Sequence, residues 1–183
     1  MDLIIRLLNG LASRARILYY RLRGVTFEGR CWLRRIEAPR YHRAIRLGDR
    51  VALDRGVTLL VTGGVTDNPK ISIGRLTYVN RHTFFDATEQ IHVGEEVMIG
   101  PFCYITDHDH AFGPGLAVGD GVFHSAPTRL EDRCWLGAHV TILKGVTIGA
   151  GSVVGAGSVV TKSIPAGVVA VGNPARVIRK IAE

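Results

Sequence analysis

Residues 130–162 read LEDRCWLGAHVTILKGVTIGAGSVVGAGSVVTK, and their beat is six. Leu136, Ile142, Ile148, Val154 and Val160 stand six apart, and glycine follows three of them at Gly137, Gly149 and Gly155. Working upstream, Leu47, Leu53, Leu59, Val65 and Ile71 keep the same step. A two-residue slip opens a second register at Ile73, Val79, Phe85 and Ile91, and another slip opens a third at Val93, Ile99 and Ile105. A period of six fits neither a helix at 3.6 residues nor a plain alternating strand. Three such steps make one circuit of short strands and turns, which stacks on the next at about 4.8 Å through backbone pairing. The predicted fold is all-β, a parallel β-solenoid. Every sixth aliphatic points inward, and Val51, Val57, Val97, Val140 and Val146, four places after the marker, also suit the interior. Glycine and small polar residues suit the corners.

The flanks differ from this core. Residues 1–24, MDLIIRLLNGLASRARILYYRLRG, have helical spacing, with Ile4, Leu7, Leu8, Leu11, Ala15, Leu18 and Leu22 on one face and Asp2, Arg6, Asn9, Ser13, Arg16 and Arg23 opposite. Arginines interrupt every apolar run well short of the roughly 20 residues a bilayer span needs. A basic amphipathic helix has two readings. In one, its apolar face caps the end of the solenoid; in the other, it attaches peripherally to an anionic membrane surface. Residues 25–172 form the solenoid domain, and 173–183, beginning near Arg176, are expected to be a short helical tail.

The formal net charge of +7 is unevenly placed. Residues 1–50 hold twelve arginines against Asp2, Glu28, Glu37 and Asp49, so the remainder of the chain is close to neutral. Cys31, Cys103 and Cys134 are odd in number and lack metal-type spacing, which points to a reducing, cytoplasmic compartment.

Between Ile105 and Leu130 the beat fails. Residues 104–115, YITDHDHAFGPG, open a loop at 106–128 whose glycines and prolines argue against further strands. His108 and His110, two apart, face the same way if a strand persists there, with Asp107 and Asp109 facing the other. Imidazoles beside carboxylates suit proton handling.

The motif [LIV]-G-x-x-x-x, the DHDH sequence before a loop, GAGSVVTK and GNPARVIR together resemble the hexapeptide-repeat acyltransferases. The similarity is to the maltose and galactoside O-acetyltransferases and to surface-polysaccharide O-acetyltransferases, and it covers the chain from Asn80 onward. This resemblance implies a left-handed β-helix, and a homotrimer with sites between neighbouring prisms. It implies transfer of an acetyl group from acetyl-coenzyme A to a hydroxyl of a sugar, glycan or glycan precursor, with no metal. His110 falls on the family's general base, with His108 as the runner-up, and the Ala138 N–H on the oxyanion donor. Asn80, Asp86, Trp135 and His124 match or adjoin acceptor positions, although Asp86 sits one or two places before the family's acidic ligand, leaving Glu89 and Asp107 in competition. Coenzyme A would be met by Ala138, Ala156, Thr161, Lys162, Arg176 and Arg179. The family's helical N-terminal module is not matched in residues 1–50.

Two other classes fit the sequence less well. A zinc carbonic anhydrase on this repeat needs three convergent histidines, and His82, His92, His108, His110, His124 and His139 do not give that set. A non-enzymatic protein would use the arginine-rich N-terminal region, with Tyr19, Tyr20, Trp32 and Tyr41 interleaved, to bind membrane or nucleic acid. The enzyme reading expects no nucleic-acid partner.

Overall fold

The computed structural model describes residues 2–64, 68–115 and 121–181. Helix α1 (Asp2–Leu22) leads into β1 (Thr26–Phe27) and β2 (Trp32–Leu33). After a 3-10 turn, the chain runs through β3 (Ile45–Leu47), β4 (Ala52–Leu53) and β5 (Thr58–Val61), then β6 (Ile71–Ile73), β7 (Tyr78–Val79) and β8 (Phe84–Ala87). A third circuit holds β9 (Ile91–Val93), β10 (Met98–Ile99) and β11 (Tyr104–Thr106). A hairpin, β12 (His108–His110) and β13 (Phe123–Ser125), interrupts it. The circuits resume with β14 (Thr128–Leu130), β15 (Trp135–Leu136) and β16 (Thr141–Ile142), followed by β17 (Thr147–Ile148), β18 (Val153–Val154) and β19 (Val159–Val160). The chain closes on β20 (Val168–Gly172) and β21 (Ala175–Lys180).

Successive strands visit three sheets in rotation. The first sheet runs β1-β3-β6-β9-β14-β17, the second β2-β4-β7-β10-β15-β18-β20-β21 and the third β19-β16-β11-β8-β5. All pairings in them are parallel except β20 with β21. Register follows the sequence beat: Leu47, Ile73, Val93, Leu130 and Ile148 form one inward column, and Leu53, Val79, Ile99, Leu136 and Val154 the next. Leu59, Phe85, Ile105, Ile142 and Val160 form the third. These side chains are essentially fully buried, as are Val51, Val57, Val97, Val140 and Val146. Each such aliphatic contributes about 1.5–3 kcal/mol by leaving water.

The slips in the beat have one location. From the first sheet to the second, and from the second to the third, the inward markers are six residues apart in every complete circuit. The return from third to first varies: Phe85 to Val93 takes two extra residues, and Ile105 to Leu130 takes the hairpin. The long return from Leu59 to Ile73 also contains Val65, a marker that lies outside the described residues.

At the regular corners, the third residue after each marker adopts a left-handed backbone. Glycine fills some of these places (Gly56, Gly145, Gly151, Gly157), but Arg50, Leu76, His82, Glu96, Phe102, Arg133 and His139 fill others with φ near 57–59°. Each non-glycine case costs roughly 1–2 kcal/mol. The glycine that directly follows a marker has a different task. A Cβ on Gly137 would sit 2.6 Å from the Ala156 nitrogen of the next circuit, so this corner stacks only without a side chain.

Both ends depart from expectation. Helix α1 does cap the incomplete opening turn that holds β1 and β2, but not with its leucine face. The Leu33 N–H donates to Ser13 Oγ (2.9 Å), Arg16 donates to the Leu33 carbonyl (3.3 Å), and Tyr20 OH donates to the Ile36 carbonyl (3.0 Å). A sheet edge needs hydrogen-bonding partners as much as apolar cover, and Ser13 and Tyr20 supply them while Ile17 packs on the core. The leucine face points outward. At the other end the predicted helix from Arg176 is instead β21, antiparallel to β20. The free edge of β20 offers backbone partners, and Val177 and Ile178, both β-branched, favour the extended chain that takes them.

Candidate active site

Asp107 roots the hairpin. It is fully buried, and its carboxylate accepts the Thr88 N–H (2.8 Å), the Glu89 N–H (2.8 Å) and, through Oδ1, a contact from His108 Nδ1 at 3.0 Å. One side chain thus ties the corner of the preceding circuit to the start of the loop. The expectation of no strands in the loop is corrected here, since His108–His110 pair antiparallel with Phe123–Ser125. Lys144 explains how so short a pair persists: its ammonium reaches Asp109 Oδ2 (2.8 Å) and donates to the His124 carbonyl (3.1 Å). The lysine therefore holds both hairpin strands to the fourth circuit.

Both histidine rings share the Phe123 side of the hairpin, each with its centroid 4.8 Å from that ring. Their surroundings differ. His108 is buried between Asp107 and Asp86, whose Oδ1 lies 4.0 Å from His108 Nε2. That oxygen is buried and makes no hydrogen bond, while Asp86 Oδ2 accepts from Tyr104 OH (3.0 Å). The Tyr104 hydroxyl is pushed up to about 12 by burial first and then by Asp86. His110 is exposed, and among the described residues no carboxylate lies within ion-pair distance of it. Of the competing acids, then, Asp86 and Asp107 attend His108. Glu89 contributes its N–H to Asp107.

A second group stacks on a different edge, between the second and third sheets. Asn80, Gly100, Gly137 and Gly155 each follow an inward marker, and Ala138 and Ala156 follow Gly137 and Gly155. The neighbouring N–H groups are used, Gly137 to the Val154 carbonyl and His139 to the Pro101 carbonyl, while the Ala138 N–H donates to no backbone carbonyl among the described residues. Asn80 Oδ1 turns back to accept the Arg81 N–H (2.8 Å). Trp135 is 54% exposed on the outer face of the second sheet, beside exposed Met98, so it is not a core residue. His124 is exposed on β13.

Thr161 and Lys162 are exposed just after β19, and Arg176 and Arg179 lie on β21 of the second sheet, also exposed. Among the described residues, the two arginine side chains donate only to the nearby Ala175 and Lys180 carbonyls. The chain alone thus brings His108, His110 and Asp86 together at one edge, with His124 opposite Asp109 on the other face of the hairpin, and Asn80, Ala138 and Ala156 at another edge. A cavity of about 600 Å³ runs between α1 and the opening turn at Gly29–Trp32.

The buried thiols are poor nucleophiles. Burial pushes Cys134 up to about 11 and raises Cys103, and both sulfurs contact carbonyl oxygens of the glycine corners. Among the described residues no group of three or more His, Cys, Asp or Glu could hold a metal ion. Lys144 and Tyr104 escaped the sequence reading. The repeat held a signal for the first: Lys144 stands two after Ile142 as Lys162 stands two after Val160, at the corner where the loop departs.

Residues 127–162 match the family model described as the hexapeptide repeat of succinyl-transferase. They are hexapeptide repeats. Galactoside O-acetyltransferase of Escherichia coli K12 is 41% identical over 111 residues, 61% of this chain and 54% of that protein. A hexapeptide-repeat-containing acetyltransferase of Vibrio cholerae, solved with acetyl-coenzyme A, superimposes with a TM-score of 0.63 at 25% identity, covering 93% of this chain and 79% of the other. A maltose O-acetyltransferase of Clostridium difficile gives 0.56 at 29%, covering 86% and 71%. The chain spans about half the length of the curated relatives it matches.

Proposed function

We propose that this chain is a left-handed β-helical O-acetyltransferase that moves an acetyl group from acetyl-coenzyme A to a hydroxyl of a sugar, glycan or glycan precursor. The observation that carries the reading is His110: an exposed imidazole on a hairpin anchored by Asp107 and clasped by Lys144. Neutral histidine is the base suited to an alcohol at neutral pH. The acceptor hydroxyl attacks the thioester carbon as His110 takes its proton, the carbon–sulfur bond breaks, and the proton passes to the departing thiolate. The Ala138 N–H, unused by the backbone, serves the developing oxyanion.

His110 and Ala138 lie on separate edges, so the site is completed by apposing two copies, as a trimer does. Trp135 lines that cleft, Asn80 and Asp86 meet the acceptor, and His124 flanks it. Arg176, Arg179, Lys162 and Thr161 receive the phosphates, which suits cations without carboxylate partners. Ala156 and the glycine corner leave room for the pantetheine arm. The three unpaired cysteines support a reducing compartment.

The test is acceptor-dependent thiol release from acetyl-coenzyme A across sugars, nucleotide sugars and lipid-linked glycans. His110→Ala should lower turnover by about 10²- to 10⁴-fold, the span of one general base, while native mass and coenzyme A binding persist. Loss with His108→Ala but not His110→Ala would move the base by two residues. Retained turnover in both would end the proposal.

A further inference from the structure

At about 100° per residue, Ile4, Leu7, Leu8, Leu11, Leu18 and Leu22 of α1 fall in one stripe, roughly opposite the face formed by Ser13, Ile17 and Tyr20 that grips the opening turn. The stripe is 59–80% exposed, and among the described residues nothing covers it. Arg14 and Arg21 run along one flank, with Arg23 on the other. No acid occurs between Asp2 and Glu28. The cavity of about 600 Å³ beneath the helix opens on the Arg14 flank and is lined by Arg14, Arg21 and Arg30.

We infer that α1 lies in the interface of an anionic phospholipid bilayer, leucine stripe down, with lipid phosphates against Arg14, Arg21 and Arg30. The helix has the composition for this orientation, apolar on one side and cationic at both margins. It does not cross: among the described residues no helix is long and apolar enough. A second copy is the poorer occupant, because pairing two identical stripes sets their arginine margins against each other with no acid to offset them. An anionic surface instead gains about fivefold in binding constant per arginine held near it, an advantage that salt erodes.

The experiment is co-sedimentation of the full chain with vesicles of phosphatidylcholine alone and with one third phosphatidylglycerol, at low and high salt. Binding to the anionic vesicles, weakened by salt, is expected. Leu7→Gln/Leu11→Gln/Leu18→Gln should bind at least about tenfold more weakly, and Arg14→Gln/Arg21→Gln about 25-fold more weakly at low salt, with native mass and melting temperature unchanged. Absence of vesicle binding by the parent chain overturns the inference. So does undiminished binding in both variants, or a triple variant whose native mass falls, since the stripe then belongs to a subunit contact. No turnover is read, so failure here leaves the acyl-transfer reading intact.

Discussion

Asp107 and Asp109 are two residues apart in the hairpin root and should respond to alanine in opposite degrees. Asp107 is fully buried and accepts two backbone N–H groups at 2.8 Å, besides its contact to His108. Asp107→Ala leaves the Thr88 and Glu89 donors without an acceptor at roughly 1–3 kcal/mol each, and removes a charge-assisted contact to the imidazole. Allowing for water entering the gap, we expect a loss of about 3–5 kcal/mol. For a chain of this size that lowers the melting temperature by roughly 6–20 °C, at 2–4 °C per kcal/mol. Asp109 pairs with Lys144 at the surface, its side chain 46% exposed, so Asp109→Ala should cost under about 1 kcal/mol. Calorimetry of both variants, with native mass recorded so that subunit dissociation is accounted for, decides the matter. Equal destabilisation, or an Asp107→Ala cost below about 1 kcal/mol, would refute the view that this buried carboxylate roots the hairpin.

Two further outcomes follow from the fold. Gly137→Ala places a methyl against the backbone of Ala156 and should cost at least about 3 kcal/mol, whereas Gly10→Ala, with nothing within 4 Å of the added carbon, should stabilise α1 by up to about 1 kcal/mol; chemical denaturation of the two should give opposite signs. His92 is held below its ordinary pKa by burial first and then by the Arg129 charge, so the unfolded chain takes up its proton more readily than the folded one. Stability should therefore be flat above about pH 7 and fall as pH drops through about 6.5, levelling off below the folded value, and His92→Gln should flatten that slope in a pH series of melting curves.

The columns were legible in the sequence because each inward position demands an apolar side chain, aliphatic at all but Phe85, so Leu136 or Ile142 announces its own burial. The corners were half legible. Glycine after a marker is required by close stacking, yet the left-handed places tolerate Phe102 or His139, whose identity gives no sign of their backbone. Helix α1 shows where periodicity stops: it separates an apolar face from a polar one but does not say which is used, and the face that docks does so through Ser13 and Tyr20. Arg176–Lys180 misled because a short alternation of charged and β-branched residues suits either state until an open strand edge selects one. At the site, the His108–His110 pair was legible from its place before the loop and the family resemblance chose His110, whereas the clasp by Lys144 depends on a hairpin that glycine and proline content argued against.

In the complete circuits, variation in length is discharged at a single corner, the one where the third sheet returns to the first. Strands on the other two corners of those circuits keep step, so an insertion at the return corner leaves the rungs on either side in register. The edge that carries the imidazoles is therefore also the edge where chain can be added or removed, provided Asp107 stays to root whatever leaves there.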